Sequence, residues 1–162
     1  MNDVKIDSAE VDQLLDSLSD TDLLNKILFE AVKAGARVLR ESTKRSFRSE
    51  MGSVADHVSR WTNKPFSDGV TMSTDKAYNE TKVSIMGDHR MKWFEKGTQD
   101  RYTNGRKIVG YQRNRAIREG KGHWTGRIKE NKFFRKARSS SEPAIDDAIT
   151  QSINNALEKL NK

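Results

Sequence analysis

Three imidazoles, His57, His89 and His123, and no cysteine bound the metal and nucleophile chemistry open to this chain. Zinc and iron sites draw several His, Cys or carboxylate ligands from short, regular spacings, and none of the three histidines has such a neighbour. Asp88 adjoins His89, but adjacent side chains on a strand point apart. Each histidine reads as a surface or turn residue. Lack of cysteine also excludes disulfides and thiolate nucleophiles. Gly120 and Gly122 flank Lys121 without the glycine spacing or following hydroxyl of a phosphate loop. There is no Gly-x-Ser-x-Gly elbow, and the adjacent Asp146 and Asp147 belong to a helix start. What remains is chemistry that cations, tyrosine and one histidine perform without a metal. Arg101, Tyr102, Tyr111, Arg113 and His123 are the residue types of a small basic ribonuclease. With Trp124, the same stretch is also composed like a nucleic-acid surface, where rings stack on bases and cations neutralise phosphates. No known nucleic-acid-binding module supports either reading, so the expectation is a protein that is not an enzyme and needs no cofactor or metal.

Those residues sit in a charge pattern. The 162 residues carry a net +7, with 33% charged and only 34% apolar, which limits the core to a modest size. Residues 1–22 hold seven acids (Asp3, Asp7, Glu10, Asp12, Asp16, Asp20, Asp22) against Lys5, a net of −6, so the rest carries +13. Residues 101–123 hold Arg101, Arg106, Lys107, Arg113, Arg115, Arg118 and Lys121 against Glu119, and four glycines punctuate them. A split of this kind suits nucleic-acid binding, head-to-tail association between copies, or an acidic arm shielding a basic body. No apolar run has the length of a membrane span. The acidic start lacks the order of a secretion signal, which leads us to expect a protein made and used in a cytoplasm, or packaged from it.

The elements that must position this segment are a few helices and strands. Val11, Leu14, Leu15 and Leu18 recur at helical spacing, and the polar run at 19–22 suits an N-cap. A long helix is predicted over about 22–47, with Leu24, Ile27, Leu28, Ala31, Gly35, Val38 and Leu39 as its apolar stripe. The residues after it, 51–61, extend it by a turn or two before a loop with breakers. Alternation through Val70 and Met72, then through Val83 and Ile85, predicts two antiparallel strands. Residues 107–112 suggest a brief strand inside the basic segment. Serines before Glu142 and Pro143 read as the start of a last helix, since proline suits a first turn. Ile145, Ala148, Ile149, Ile153, Ala156, Leu157 and Leu160 form its stripe, and Asp146 and Asp147 lie near its positive end. The fold class is α+β: a small antiparallel sheet packed on a long N-terminal helix and a C-terminal amphipathic helix, with a long basic loop at 99–123. Residues 1–21 read as an acidic arm with a short helix, and 22–162 as one domain.

Two short motifs flank the basic loop. In the first, Trp93, Phe94, Glu95, Gly97 and Thr98 form an aromatic-x-Glu-x-Gly-Thr turn after the hairpin. Gly97 is suited to a positive φ that reverses the chain, and Thr98 to a backbone bond in the turn. Trp93 and Phe94 read as core anchors, and Glu95 as the partner of a nearby cation. In the second, Phe133, Phe134 and Ala137 lead into the last helix as core contacts. In this order the chain, over roughly 22–160, resembles the tail-component family of tailed phages typified by gene product ten of a lambda-like phage. Against that pattern the span between motifs is lengthened, and Asn131 and Lys132 stand where a proline commonly precedes the paired aromatics. The resemblance implies a structural virion protein made in the host cytoplasm and used at the head–tail junction, in the neck or in tail completion. It implies a homo-oligomeric ring, contacts with neighbouring neck, connector or tail proteins, and no membrane. The basic loop then faces either the next subunit or the DNA passing through the ring.

Overall fold

The computed structural model describes residues 21–60, 62–99, 101–103 and 123–160, with only the backbone for 102–103 and 123–125. The chain opens with α1 (Thr21–Met51). Gly52, at φ 52°, stops it, because glycine takes the left-handed conformation that caps a helix with the least strain. A 3-10 turn at Gly52–Asp56 and another at Phe66–Gly69 lead into β1 (Thr71–Asp75). β1 pairs antiparallel with β2 (Glu80–Ser84), Met72 opposite Val83 and Thr74 opposite Thr81. A one-and-a-half-turn helix, α2 (Met91–Lys96), precedes a second two-stranded pair, β3 (Arg101–Thr103) with β4 (His123–Gly126). The chain ends in α3 (Phe133–Leu160). The expected α+β class, with a small antiparallel sheet and long first and last helices, is what the structure has. The expected strand at 107–112 and the segment 1–20 lie outside the described residues.

α1 and α3 run antiparallel along most of their lengths. Ser46 Oγ donates to the Phe133 carbonyl at 2.9 Å, and Lys136 Nζ meets Glu50 at 2.6 Å. Further along, a Cβ at Gly35 would lie 2.9–3.0 Å from Ile145 and Ile149 side-chain atoms, so glycine sets how close the helices come. The core gathers at the other end, where Phe47, Ala55, Phe66, Val70, Met91 and Phe133 are buried together. Phe47 is its hinge point, with ring centroids 4.7 Å from Phe133 and 5.8 Å from Phe94.

Three expectations need correction. Leu24 and Leu28, placed on the apolar stripe of α1, are exposed at 38% and 40%, while Phe29, Thr43 and Phe47 join Ile27, Ala31 and Gly35 among its buried residues. Ile27, Ala31, Gly35, Thr43 and Phe47 fall on one line at multiples of four residues, and Phe47 carries that line into the aromatic core. Secondly, Pro143 does not open a helix. It lies inside α3, which begins at Phe133. Pro143 and Ser139 are both exposed, so the carbonyl that proline leaves unbonded can turn to water. The serines do not cap either: Ser141 Oγ donates to the Ala137 carbonyl at 2.7 Å and Ser140 Oγ to the same oxygen at 3.2 Å. Asp146 and Asp147 are therefore in mid-helix, away from its positive end. Thirdly, Trp93 is not a core anchor; it is 41% exposed and takes His89 edge-on at 5.5 Å.

Candidate functional site

The two motifs meet. Phe94 is half-buried against Phe47 and, at 5.7 Å, against the Phe66 ring. Phe133 and Ala137 are buried and Phe134 is partly so. Glu95 does not take a cation as its two main partners. Its Oε2 accepts the Phe134 N–H at 2.8 Å and its Oε1 the Arg135 N–H at 3.2 Å. Those are free donors of the first turn of α3, so a residue 39 positions upstream caps the helix and places a negative charge at its positive end. The backbone completes the join: Asn131 N–H donates to the Phe94 carbonyl at 3.1 Å and Lys132 N–H to the Glu95 carbonyl at 3.2 Å. Proline could donate at neither position, and Lys132 holds φ at 53°, which proline cannot reach.

Gly97 and Thr98 fasten the other side. Gly97 has φ 71° and ψ −178°, a region open in practice to glycine alone. A Cβ there would also stand 2.9 Å from the Glu130 nitrogen and 3.0 Å from the Ile128 carbonyl oxygen. Thr98 does not bond within its own turn. Its N–H donates to the Ile128 carbonyl at 2.9 Å, and its Oγ1 accepts the Ile128 N–H at 3.0 Å, 30 residues away. Next to this clamp, β3 and β4 pair, with Arg101 opposite Gly126, Tyr102 opposite Trp124 and Thr103 opposite His123. The clamp and the two strands therefore close the base of the segment 104–122. That segment holds Arg106, Lys107, Tyr111, Arg113, Arg115, Arg118 and Lys121, all outside the described residues. Of the candidate cations only Arg101 is described, on β3 and exposed.

A second polar cluster, missed from the sequence, braces the near side of the core. Asp88 is 3% exposed. It accepts Arg90 Nε at 3.0 Å and Nη2 at 2.9 Å, the Arg90 N–H at 3.0 Å, and Ser59 Oγ at 2.6 Å. Arg90 Nη2 also reaches Ser59 Oγ, and its guanidinium lies 4.5 Å from the Phe66 ring centroid. The Arg90 hydrogen bonds, with help from Ser59, hold the Asp88 carboxyl well below the usual carboxylate range despite burial. Asp88 and Arg90 stand two positions apart in the sequence, but Ser59 lies 29 residues from Asp88 and carries no local signal. Of the histidines, His57 stacks on Phe66 and His89 contacts Trp93. Among the described residues, no group of three or more His, Asp or Glu is arranged to hold a metal, and no helix is long and apolar enough to cross a membrane.

A comparison of the chain with protein families, with curated proteins and with solved structures finds no match in any of the three.

Proposed function

We propose that this chain is a structural virion protein of a tailed bacteriophage, one subunit of an oligomeric ring at the head–tail junction, in the neck or in tail completion. The observation that carries the reading is the clamp. Two motifs far apart in sequence close on each other through Glu95, Gly97 and Thr98, and the span they close includes residues 101–123, which carry seven bases against one acid. A protein that spends so many interactions on the base of one basic segment is built to present that segment. The residues of the clamp make a scaffold, with its carboxylate and hydroxyl committed to backbone groups rather than free for catalysis. Residues 101–122 then act as one face of a heterologous contact between subunits, in which a surface meets a different surface of the next copy. The acidic residues 1–22 supply complementary charge.

A second reading has one observation in its favour. β3 and β4 bring Tyr102 and Trp124 to opposite positions beside the basic segment, a pairing that suits base stacking, either on DNA threading the ring or in a basic nucleic-acid-binding protein or ribonuclease. Quantitative mass spectrometry of purified particles, with the portal protein as internal standard, tests the first reading. On the order of a dozen copies or fewer per particle is expected of a closed ring. Absence from particles overturns it and moves RNA cleavage by the parent and by His123→Ala to the front.

A further inference from the structure

The β1–β2 ribbon has an open side. Among the described residues β1 has β2 as its one strand neighbour. Alternation along a strand sends successive backbone groups to opposite edges. The Gly69 carbonyl accepts the Gly87 N–H, on the β2 side. The Val70 carbonyl therefore points the other way, and Arg40 Nε of α1 meets it there at 3.3 Å. The N–H and C=O of Met72 follow Val70 onto that edge. Beside it runs a cleft of about 640 Å³ between α1 and the strand, lined by Arg40, Lys64, Asp68, Val70, Thr71 and Met72. β1 has neither the lysine nor the proline with which edge strands commonly block pairing.

The charges around the cleft select what could lie in it. Asp68 is already matched by Lys44 Nζ at 2.9 Å. Arg40 reaches Glu41 only at 3.3 Å, and the Glu41 side chain lies largely in solvent. Lys64 is exposed and has no acidic partner among the described residues. A strand edge asks for donors and acceptors in alternation, and a phosphate chain has no donors to give the Met72 carbonyl. Pairing of two β1 edges would bring Arg40 and Lys64 of both copies together, which like charge disfavours. The cleft suits an extended acidic peptide whose apolar residues alternate, the mode in which a peptide adds a strand between an edge and a helix. This chain contains a sequence of that composition. Residues 3–7 read Asp-Val-Lys-Ile-Asp, two β-branched residues alternating with polar ones at the head of a segment of net −6.

We propose that the outer edge of β1 and the cleft beside it receive residues 3–7 of a second copy of the chain as an added strand. Choosing a second copy rather than the same one rests on the ring reading, in which each subunit offers unlike faces to its two neighbours. Val4 and Ile6 would lie on one face of the added strand, beside Met72, and Asp3 and Asp7 on the other, within reach of the long Arg40 and Lys64 side chains.

Because the chain has no native cysteine, the full-length I6C/T71C variant can be joined by a short thiol-specific cross-linker without side reactions. Equal parts of light and isotope-heavy protein are mixed, cross-linked and digested, with I6C/Y78C as control at the exposed hairpin tip. The expected result is a 6–71 link above the 6–78 control, with light–heavy pairs as frequent as like pairs. Adding R40E/K64E should weaken that link about fivefold, as for two partly exposed ion pairs, and D3K/D7K in the same chain should restore it. Like pairs alone would overturn the proposal by showing that each chain covers its own edge. A 6–71 yield no higher than the control would also overturn it. Neither failure touches the ring reading, which stands or falls separately on the particle count.

Discussion

The clamp and the β1 edge lie in the same small molecule and are built on opposite rules. At the clamp, Glu95, Thr98, Asn131 and Lys132 each put polar groups into bonds that join distant parts of the chain, above a core of Phe47, Phe94 and Phe133. At the edge, four of the five β1 residues are exposed, and among the described residues an arginine side chain is what meets the outer backbone. Satisfied groups hold a shape; open ones are available to something else. The difference separates the part of the chain that fixes the fold from the parts left to make contacts, which on our reading include the basic segment beyond the clamp.

If that division holds, damage should grade with distance from the clamp and its core. Phe133→Ala empties a fully buried ring position that Phe47 packs against and should cost about 4 kcal/mol in chemical denaturation. Asp88→Ala removes the carboxylate that Arg90 and Ser59 bond and should cost about 3 kcal/mol. The same carboxylate sets an acid limit. Its folded pKa lies below the unfolded value, so its contribution is complete above the ordinary Asp range and fades as pH falls from about 4 toward the lower folded value. Asp88→Asn should remove that part of the slope in melts followed from pH 6 downward. Gly97→Ala forces a side chain into a left-handed turn against the backbone of 128–130, for a loss of about 2 kcal/mol. Glu95→Gln keeps the size but weakens both bonds to the α3 N-terminus; about 1 kcal/mol is expected, again by denaturation.

The sequence disclosed whatever was written in local pattern. Alternation through Val70, Met72, Val83 and Ile85 located the ribbon, and period-3.6 stripes located both long helices. Gly97 was readable as a turn residue because few residues tolerate positive φ. The misreadings share a cause in distance. α3 starts ten residues before Pro143 because its free N–H groups are met by Glu95, and a cap supplied from 39 positions away leaves no mark beside the helix it caps. The serines at 140 and 141 satisfy themselves by bonding back to the Ala137 carbonyl, so a polar run that resembles a helix start is carried within one. Trp93 reads as a core anchor beside Phe94, but on a helix of six residues only one face can be buried, and Met91 and Phe94 occupy it. Ser59 joined Asp88 through tertiary packing alone. The β1 edge was also invisible, since alternation finds a strand without saying which neighbour it lacks.

The account's central claim is that the clamp supplies stability while the basic segment it closes supplies assembly. The most direct measurement makes R106E/R113E/R115E/R118E in the full-length chain and follows thermal melting and copies per virion side by side. We expect a melting temperature within about 2 °C of the parent, as for substitutions away from a packed core, together with loss of the protein from particles. Parent-level incorporation, or a fall in melting temperature as large as that of Gly97→Ala, would contradict it.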